Sequence, residues 1–216
     1  MPWVFFDLNG TLMDPGALAE PLGGDAELVL AALDDAVAQA MVATIAGEHG
    51  AFSDLLGAAL RRRLAWAGAD PALAEPALER LGSMPPYPEA VPALDRLAAA
   101  GLSLGVLTQS ATQSAEAVLE AAGLRDRFEH VIGTDRVGVF KPDRRVYGAA
   151  VRQAGVPAAE IWLVAAHWWD VAGAKHAGLR TAWIARRERV LLDSVPEPDV
   201  RAGDLAEAAE RIAALA

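Results

Sequence analysis

The chain contains no cysteine, and this absence excludes several kinds of chemistry. Without a thiol there can be no disulfide bond, no thiolate zinc site and no cysteine nucleophile. Basic residues are scarce too: residues 1–60 contain neither lysine nor arginine, and the formal net charge is −10. Nucleic acids and anionic membrane surfaces bind to basic faces, so neither is an expected partner. A small molecule is therefore the expected ligand.

The sequence also lacks targeting signals. Its N-terminus has no basic segment followed by an apolar stretch and a cleavage site. No apolar run is expected to reach the roughly 18 residues that a membrane span needs. Together with the absence of cysteine, these features predict a cytoplasmic protein.

Short apolar segments, rich in β-branched and aromatic residues, recur along the chain. Five of them predict strands, at residues 4–6, 104–107, 130–132, 161–164 and 181–184. Helical patterns separate the last four. Continuous apolar strands that alternate with helices are typical of an α/β fold, with a parallel sheet covered on both faces. The tail is expected to form a proline-rich link and a final amphipathic helix.

About 100 residues separate the first predicted strand from the second. Within this interval, apolar residues recur at helical spacing in residues 26–46 and 52–66, which predicts two helices. A proline-rich segment then marks the return to the sheet. An insert of this size predicts a small helical cap domain. The predicted domains are a core of residues 1–14 and 87–216, and a cap of residues 15–86.

Polar side chains follow the predicted strands, where ligands of an open parallel sheet bind. The first four strands lead in turn to Asp7, Asn9 and Thr11; to Thr108, Gln109 and Ser110; to Lys141 and Tyr147; and to His167 and Asp170. Lysine occurs only twice among 19 basic residues, so Lys141 indicates that a compact point charge is needed there. Two carboxylates and a lysine are therefore expected to meet at one edge of the sheet.

Four motifs occur in order at these strand ends: "DLNGTL", "LTQS", "FKPDRRVY" and "HWWDVAGAKHAGLRTAWIAR". In these motifs the chain resembles the haloacid dehalogenase superfamily, and within it the 2-haloacid dehalogenase branch. The resemblance covers almost the whole length. It implies a doubly wound, Rossmann-like core with a helical cap after the first strand. It also implies a hydrolase in which Asp7 is a nucleophile that forms a covalent ester with a small organic halide or halogenated acid.

Asp7 must stay ionised to attack a substrate carbon. The ammonium of Lys141 would favour the ionised form, whereas a second carboxylate, Asp170, would oppose it. Lys141 could instead be an ordinary surface lysine. The resemblance makes Thr11 and Thr108 donors to the carboxylate or to the leaving group, although both residue types also suit turns and caps.

Asn9 distinguishes two branches of the family. In the family's phosphatases the equivalent residue is an aspartic acid that protonates the leaving alcohol, and an amide cannot do so. A halide leaves as an anion and does not depend on such a proton. Asn9 therefore favours dehalogenation, although dehalogenases of this type usually carry an aromatic residue there.

The fourth motif suggests further roles. Asp170 would position the hydrolytic water or support Lys141, and His167 is either a base or a hydrogen-bonding spacer. Trp168 and Trp169 are expected to be packing residues or pocket walls. The residues predicted to contact the substrate are Asn9, Thr108, Gln109, Tyr147, His167 and Trp169.

No metal or other cofactor is required under this hypothesis. One alternative is a magnesium-dependent phosphatase in which Asp7, Asn9 and Asp170 hold the ion. Another is a catalytically weak relative that binds a metabolite or a partner protein. The resemblance also suggests a homodimer, because family relatives often dimerise.

One expected residue is missing. The family's 2-haloacid dehalogenases use an arginine of the early cap to hold the substrate carboxylate or the halide, and the corresponding place holds Leu33, Asp34 and Asp35. Either an arginine of the run 61–63 reaches into the pocket, or that run is a solvated surface.

Overall fold

A computed structural model of the chain describes residues 2–215. Six parallel strands form one sheet in the spatial order β3-β2-β1-β4-β5-β6. The strands are β1 (Trp3–Phe6), β2 (Ser103–Thr108), β3 (His130–Gly133), β4 (Ile161–Ala165), β5 (Arg180–Ile184) and β6 (Val200–Ala202). The predicted α/β fold with a doubly wound parallel sheet is confirmed.

β1 lies in the middle of the sheet, where Trp3 pairs with Ser103 of β2 on one side and with Ile161 of β4 on the other. Its side chains alternate between two apolar layers, as the pleat of a strand requires. Val4 belongs to one buried cluster and Phe5 to the other. Both faces are therefore buried, which explains why β1 is apolar throughout.

Eight α-helices accompany the sheet in the described part of the chain: α1 (Ala26–Ala46), α2 (Phe52–Trp66), α3 (Ala74–Glu79), α4 (Ala90–Ala99), α5 (Thr112–Ala121), α6 (Arg144–Ala154), α7 (Trp168–His176) and α8 (Leu205–Leu215). The bounds of α1 and α2 are those that the apolar spacing predicts. α4, α5 and α8 share one apolar layer with the sheet, and α6 and α7 share the other.

β6 was not predicted, because the tail was expected to contain only a link and a helix. The segment has three residues, which is too short to show an alternating pattern. It is a strand because Val200 pairs with Ala182 of β5. The final helix, α8, is confirmed.

α1 corrects the expectation that no segment is apolar and long enough to span a membrane. It has 21 residues, and its most apolar stretch of 18 has a mean hydropathy of 1.7. By length and composition alone, it could therefore cross a membrane. In this fold it packs against α2 and buries Val29, Ala32, Ala36 and Ala40, while Ile45 is exposed.

The inserted helices lie over the carboxyl edge of the sheet, since Val37 of α1 and Phe52 of α2 line the same pocket as Asp7. Their buried residues belong to the same apolar cluster as Val4 and Phe6 of β1. The helical layer and the sheet thus share a continuous core. The division into a core and a cap domain stays a prediction.

Candidate active site

Asp7 follows β1 directly and is 3% exposed. Three side chains surround its carboxylate. Thr11 Oγ1 lies 2.9 Å and His167 Nδ1 3.1 Å from Oδ2, and Lys141 Nζ lies 3.1 Å from Oδ1. The strand ends thus bring together residues that are up to 160 positions apart in the chain.

These contacts decide the charge of Asp7. Burial alone would raise the pKa of its carboxyl group, because the charged form loses hydration. Lys141, His167 and Thr11 together have the larger opposite effect and hold the pKa well below its usual value. Asp7 is therefore an ionised carboxylate at neutral pH, as a nucleophile must be.

Thr11 is oriented by a second contact. Its Oγ1 accepts a hydrogen bond of 3.0 Å from the backbone N–H of Ala166, so its own hydrogen is free to point at Asp7. The preceding Gly10 has a left-handed backbone (φ +81°), and a Cβ there would lie 3.1 Å from the ring of His167. A glycine at this position therefore allows both the turn and the close approach of His167.

Lys141 is fully buried between the two carboxylates. Its Nζ lies 2.7 Å from Asp170 Oδ2, in addition to its contact with Asp7. Burial lowers the pKa of the ammonium, but Asp170 and Asp7 outweigh this effect and the pKa is raised. Lys141 is therefore a permanent cation in the core and not a surface lysine.

Asp170 contacts Lys141, and Tyr147 in turn contacts Asp170. Tyr147 Oη donates a hydrogen bond of 2.7 Å to Asp170 Oδ1, and both residues are fully buried. Burial is the main cause of the raised pKa of Asp170, although Lys141 and Tyr147 oppose it. Gly173 makes room for the phenol, since a Cβ there would lie 2.4 Å from Tyr147 Oη.

Gln109 is engaged with the backbone of Lys141. Its Nε2 donates to the Lys141 carbonyl at 3.1 Å, and its Oε1 accepts from the Lys141 N–H at 2.9 Å. Both ends of the amide are therefore used within the protein, and they hold the segment that carries the ammonium.

A pocket of about 30 Å³ opens at Asp7. Its walls are formed by Asp7, Asn9, Leu33, Asp34, Val37, Phe52, Thr108, Gln109, His167 and Trp169. Thr108 Oγ1 accepts a 3.2 Å hydrogen bond from the Ser110 N–H, so its hydroxyl hydrogen remains available to a ligand. Asn9 Oδ1 is buried without a hydrogen-bond partner.

Of the six residues predicted to contact the substrate, five thus line the pocket. Tyr147 does not, because its hydroxyl is bound to Asp170 on the far side of Lys141.

His167 and Trp169 form one wall. Their rings stack at 5.1 Å between centroids, and the His167 side chain is 28% exposed. Burial lowers the pKa of His167, but the hydrogen bond and charge of Asp7 outweigh burial and raise it above the ordinary 6.5. Another wall comes from α1 and includes Leu33, which stands where the family's arginine was expected, and Val37, which the sequence analysis did not anticipate.

Asp34 and Asp35 of α1 are both neutralised by arginines. Asp34, on the pocket wall, accepts a hydrogen bond of 2.7 Å from Arg187 Nη1. The arginines of the run 61–63 pair elsewhere and line no part of the pocket: Arg62 and Arg63 contact Asp35, and Arg61 contacts Glu75. The run 61–63 is therefore a solvated surface, and none of its arginines reaches into the pocket.

A magnesium ion fits these residues poorly. Within residues 2–215, no group of three or more His, Asp or Glu side chains is arranged to hold a metal. The ammonium of Lys141 lies between Asp7 and Asp170, the two carboxylates that the phosphatase alternative assigns to the ion.

Comparisons with known proteins agree with this geometry. A family model described as haloacid dehalogenase-like hydrolase matches residues 1–178. The (S)-2-haloacid dehalogenase H-109 of Pseudomonas putida is 29% identical in an alignment of 219 positions that covers 94% of each chain. The (S)-2-haloacid dehalogenase of Pseudomonas sp. strain YL is 39% identical over 114 residues, and this match spans about half of each chain, 53% of this one and 49% of the relative.

The fold is also that of a solved structure. The L-2-haloacid dehalogenase of Xanthobacter autotrophicus superposes over 100% of both chains with a TM-score of 0.89 and 25% identity. That enzyme has also been solved with chloropropionic acid covalently bound.

Proposed function

Because this chain belongs to the haloacid dehalogenase-like hydrolase family, we propose that it is a 2-haloacid dehalogenase that works through an ester on Asp7. The observation that carries the proposal is the ionised, buried carboxylate of Asp7, held by Lys141, His167 and Thr11 at the floor of a small pocket. The cap of residues 15–86 would close this pocket over the substrate.

In the first step, an oxygen of Asp7 attacks carbon 2 of the acid. The new C–O bond forms as the carbon–halogen bond breaks, and the halide leaves with the bonding electrons. No proton is transferred, which suits the neutral amide of Asn9. Lys141 orients the carboxylate, and its neighbour Asp170 keeps the ammonium in place. Thr108, whose hydroxyl hydrogen is free, donates to the substrate carboxylate.

The formation of the ester on Asp7 lowers the pKa of His167. The Asp7 carboxylate raises the pKa of His167, and an ester no longer carries that charge. Burial, which lowers the pKa, then has more influence, so the pKa of the imidazole falls and loss of its proton to solvent is favoured when a base is needed. His167 Nδ1 lies 3.1 Å from Asp7 Oδ2, close to the carbonyl carbon that water must attack.

In the second step, His167 takes a proton from water while the water oxygen adds to Cγ of Asp7. The tetrahedral intermediate expels the hydroxy acid as an alkoxide, which receives the proton from His167. Asp7 keeps the water oxygen and releases the second proton to solvent. The products are a 2-hydroxy acid, a halide and one proton. Tyr147, Asp170 and Gln109 act as positioning residues, through Lys141.

The test is halide release from a panel of chloro-, bromo- and fluoroacids. We expect release by the wild type and none by Asp7→Asn, while Asp54→Asn, an exposed acid on α2, is a matched control that keeps activity. His167→Leu should release about one halide per enzyme and then stop, with the mass of the substrate's carboxyalkyl group retained on the Asp7 peptide. His176→Leu changes an exposed histidine at the end of α7, the helix that His167 precedes, and should turn over normally.

Two outcomes would overturn the proposal. One is the absence of halide release from every acid. The other is phosphate-ester hydrolysis that EDTA abolishes, which would favour the magnesium-dependent phosphatase.

A further inference from the structure

A second cavity lies beside the Asp7 pocket, and we call it the side cleft. Its volume is about 270 Å³, against about 30 Å³ for the pocket itself. The side cleft runs between the start of α2, the segment before α4, and α5. Its apolar surface comes from Phe52, Leu81, Met84 and Val118, and three serine residues add hydroxyl groups.

The two cavities share two wall residues, Asn9 and Phe52. Asn9 stands two positions after the candidate nucleophile, so the side cleft begins next to the reacting centre. The amide of Asn9 is smaller than an aromatic ring, and its buried Oδ1 has no hydrogen-bond partner.

The size of the pocket limits what it can hold. A volume of about 30 Å³ accepts roughly two groups of the size of water, which is less than a whole haloacid. The substituent on carbon 2 must therefore extend elsewhere when it is larger than a methyl group. Three adjoining cavities are large enough to receive it: the side cleft and two others of about 400 Å³ and 270 Å³.

Charged wall residues distinguish the other neighbouring cavities from the side cleft. The two other cavities that border the pocket both include the charged residues Asp34, Arg187 and Glu188 in their walls, beside apolar residues such as Met41 and Leu30. Among the described residues that line the side cleft, none carries a charge. Its apolar surface suits an uncharged carbon chain, whose burial is favourable.

From this arrangement we infer that the side cleft binds the carbon-2 substituent, and that the preferred substrates are 2-haloacids with an apolar chain several carbons long. This inference rests on the proposed dehalogenation. Each methylene buried in the cleft should raise kcat/KM about fourfold. The increase should end when the chain fills the cleft.

The first experiment compares the (S)-enantiomers of 2-bromopropanoate, 2-bromohexanoate and 2-bromooctanoate by halide release. We expect kcat/KM to rise at least tenfold from the three-carbon to the six-carbon acid. Equal values, or a fall with length, would overturn the inference while leaving the proposed function intact. Release from none of them would overturn both.

The second experiment uses two matched variants of α5. Ala117 and Ala121 are exposed alanines one helical turn apart, and only Ala117 lines the side cleft. Ala117→Phe should lower the ratio of kcat/KM for 2-bromohexanoate over 2-bromopropanoate at least fivefold, and Ala121→Phe should keep the wild-type ratio. Equal slowing of both acids by Ala117→Phe would mean that the cleft is an access route, and would contradict the inference.

Binding without turnover gives an independent measurement. In the Asp7→Asn background, calorimetry should show tighter binding of 2-bromohexanoate than of 2-bromopropanoate, and Ala117→Phe should remove the difference. An unchanged difference in this variant would exclude the side cleft as the binding site of the chain. Melting temperatures of all variants show whether each one is folded.

Discussion

Arg187, after β5, neutralises Asp34 of α1 through a contact of 2.7 Å between Nη1 and Oδ2. The pair joins the helical layer to the sheet layer at the wall of the Asp7 pocket. Both side chains are partly exposed, at 43% and 61%, so the pair adds little to stability. The pair instead affects the electrostatic potential in the pocket, because an unpaired Asp34 would repel an anionic acid there.

Removal of Arg187 should weaken substrate binding. In Arg187→Ala the charge of Asp34 is uncompensated, and we expect KM for a 2-haloacid to rise about threefold to tenfold with little change in kcat. The double variant Arg187→Ala with Asp34→Asn should recover the wild-type KM, because it has no unpaired carboxylate at position 34. Arg201→Ala, which breaks an exposed pair with Glu197, is the control. An unchanged KM in Arg187→Ala would show that Asp34 does not act on the substrate.

The titration of His167 should depend on Asp7. In the free wild-type protein, NMR should give a pKa above 6.5, and Asp7→Asn should lower it, because the carboxylate is what raises it. The raised pKa also predicts the sign of a stability effect. The contribution of protonated His167 is fully present below pH 6.5 and is lost as the pH rises through the folded-state pKa. Denaturant titrations of His167→Leu should lack this loss.

Lys141 should be the more important of the two lysines for stability. Lys141→Met leaves buried Asp170 without a cation and Asp7 with His167 alone, which costs about 3 to 5 kcal/mol of unfolding free energy. The deficit should shrink at acidic pH, because a carboxyl group whose pKa is raised takes up a proton there. Lys175→Met, which removes a partly exposed contact with Asp199, should cost under about 1 kcal/mol. Equal melting temperatures for the two variants would contradict this assignment.

Tyr147 should act through Asp170 and not on the substrate. Tyr147→Phe keeps the ring and removes the hydroxyl that donates to Asp170 Oδ1. This should lower the free energy of unfolding by about 1 to 3 kcal/mol. As a positioning residue it should lower kcat and leave KM for haloacids nearly unchanged. A large increase in KM with an unchanged kcat would instead place the phenol in contact with the substrate.

Much of the site could be predicted from local patterns. Apolar spacing identified α1 and α2 and five of the six strands, because helices and strands impose their own periods on buried residues. A parallel sheet brings the carboxyl ends of its strands to one edge. The meeting of Asp7 with Lys141, 134 positions away, therefore followed from the order of strands and motifs.

Tertiary packing decided the rest. Arg187 meets Asp34 across 153 positions because of how α1 is placed over the sheet, and no local period encodes that placement. Gln109 follows β2 and Tyr147 lies in α6, and their hydrogen bonds are made with Lys141 and Asp170. Sequence by itself determined which chemical groups reach the edge of the sheet. Only the tertiary structure decided which way they face, because rotation and packing of neighbouring elements control the direction of each side chain.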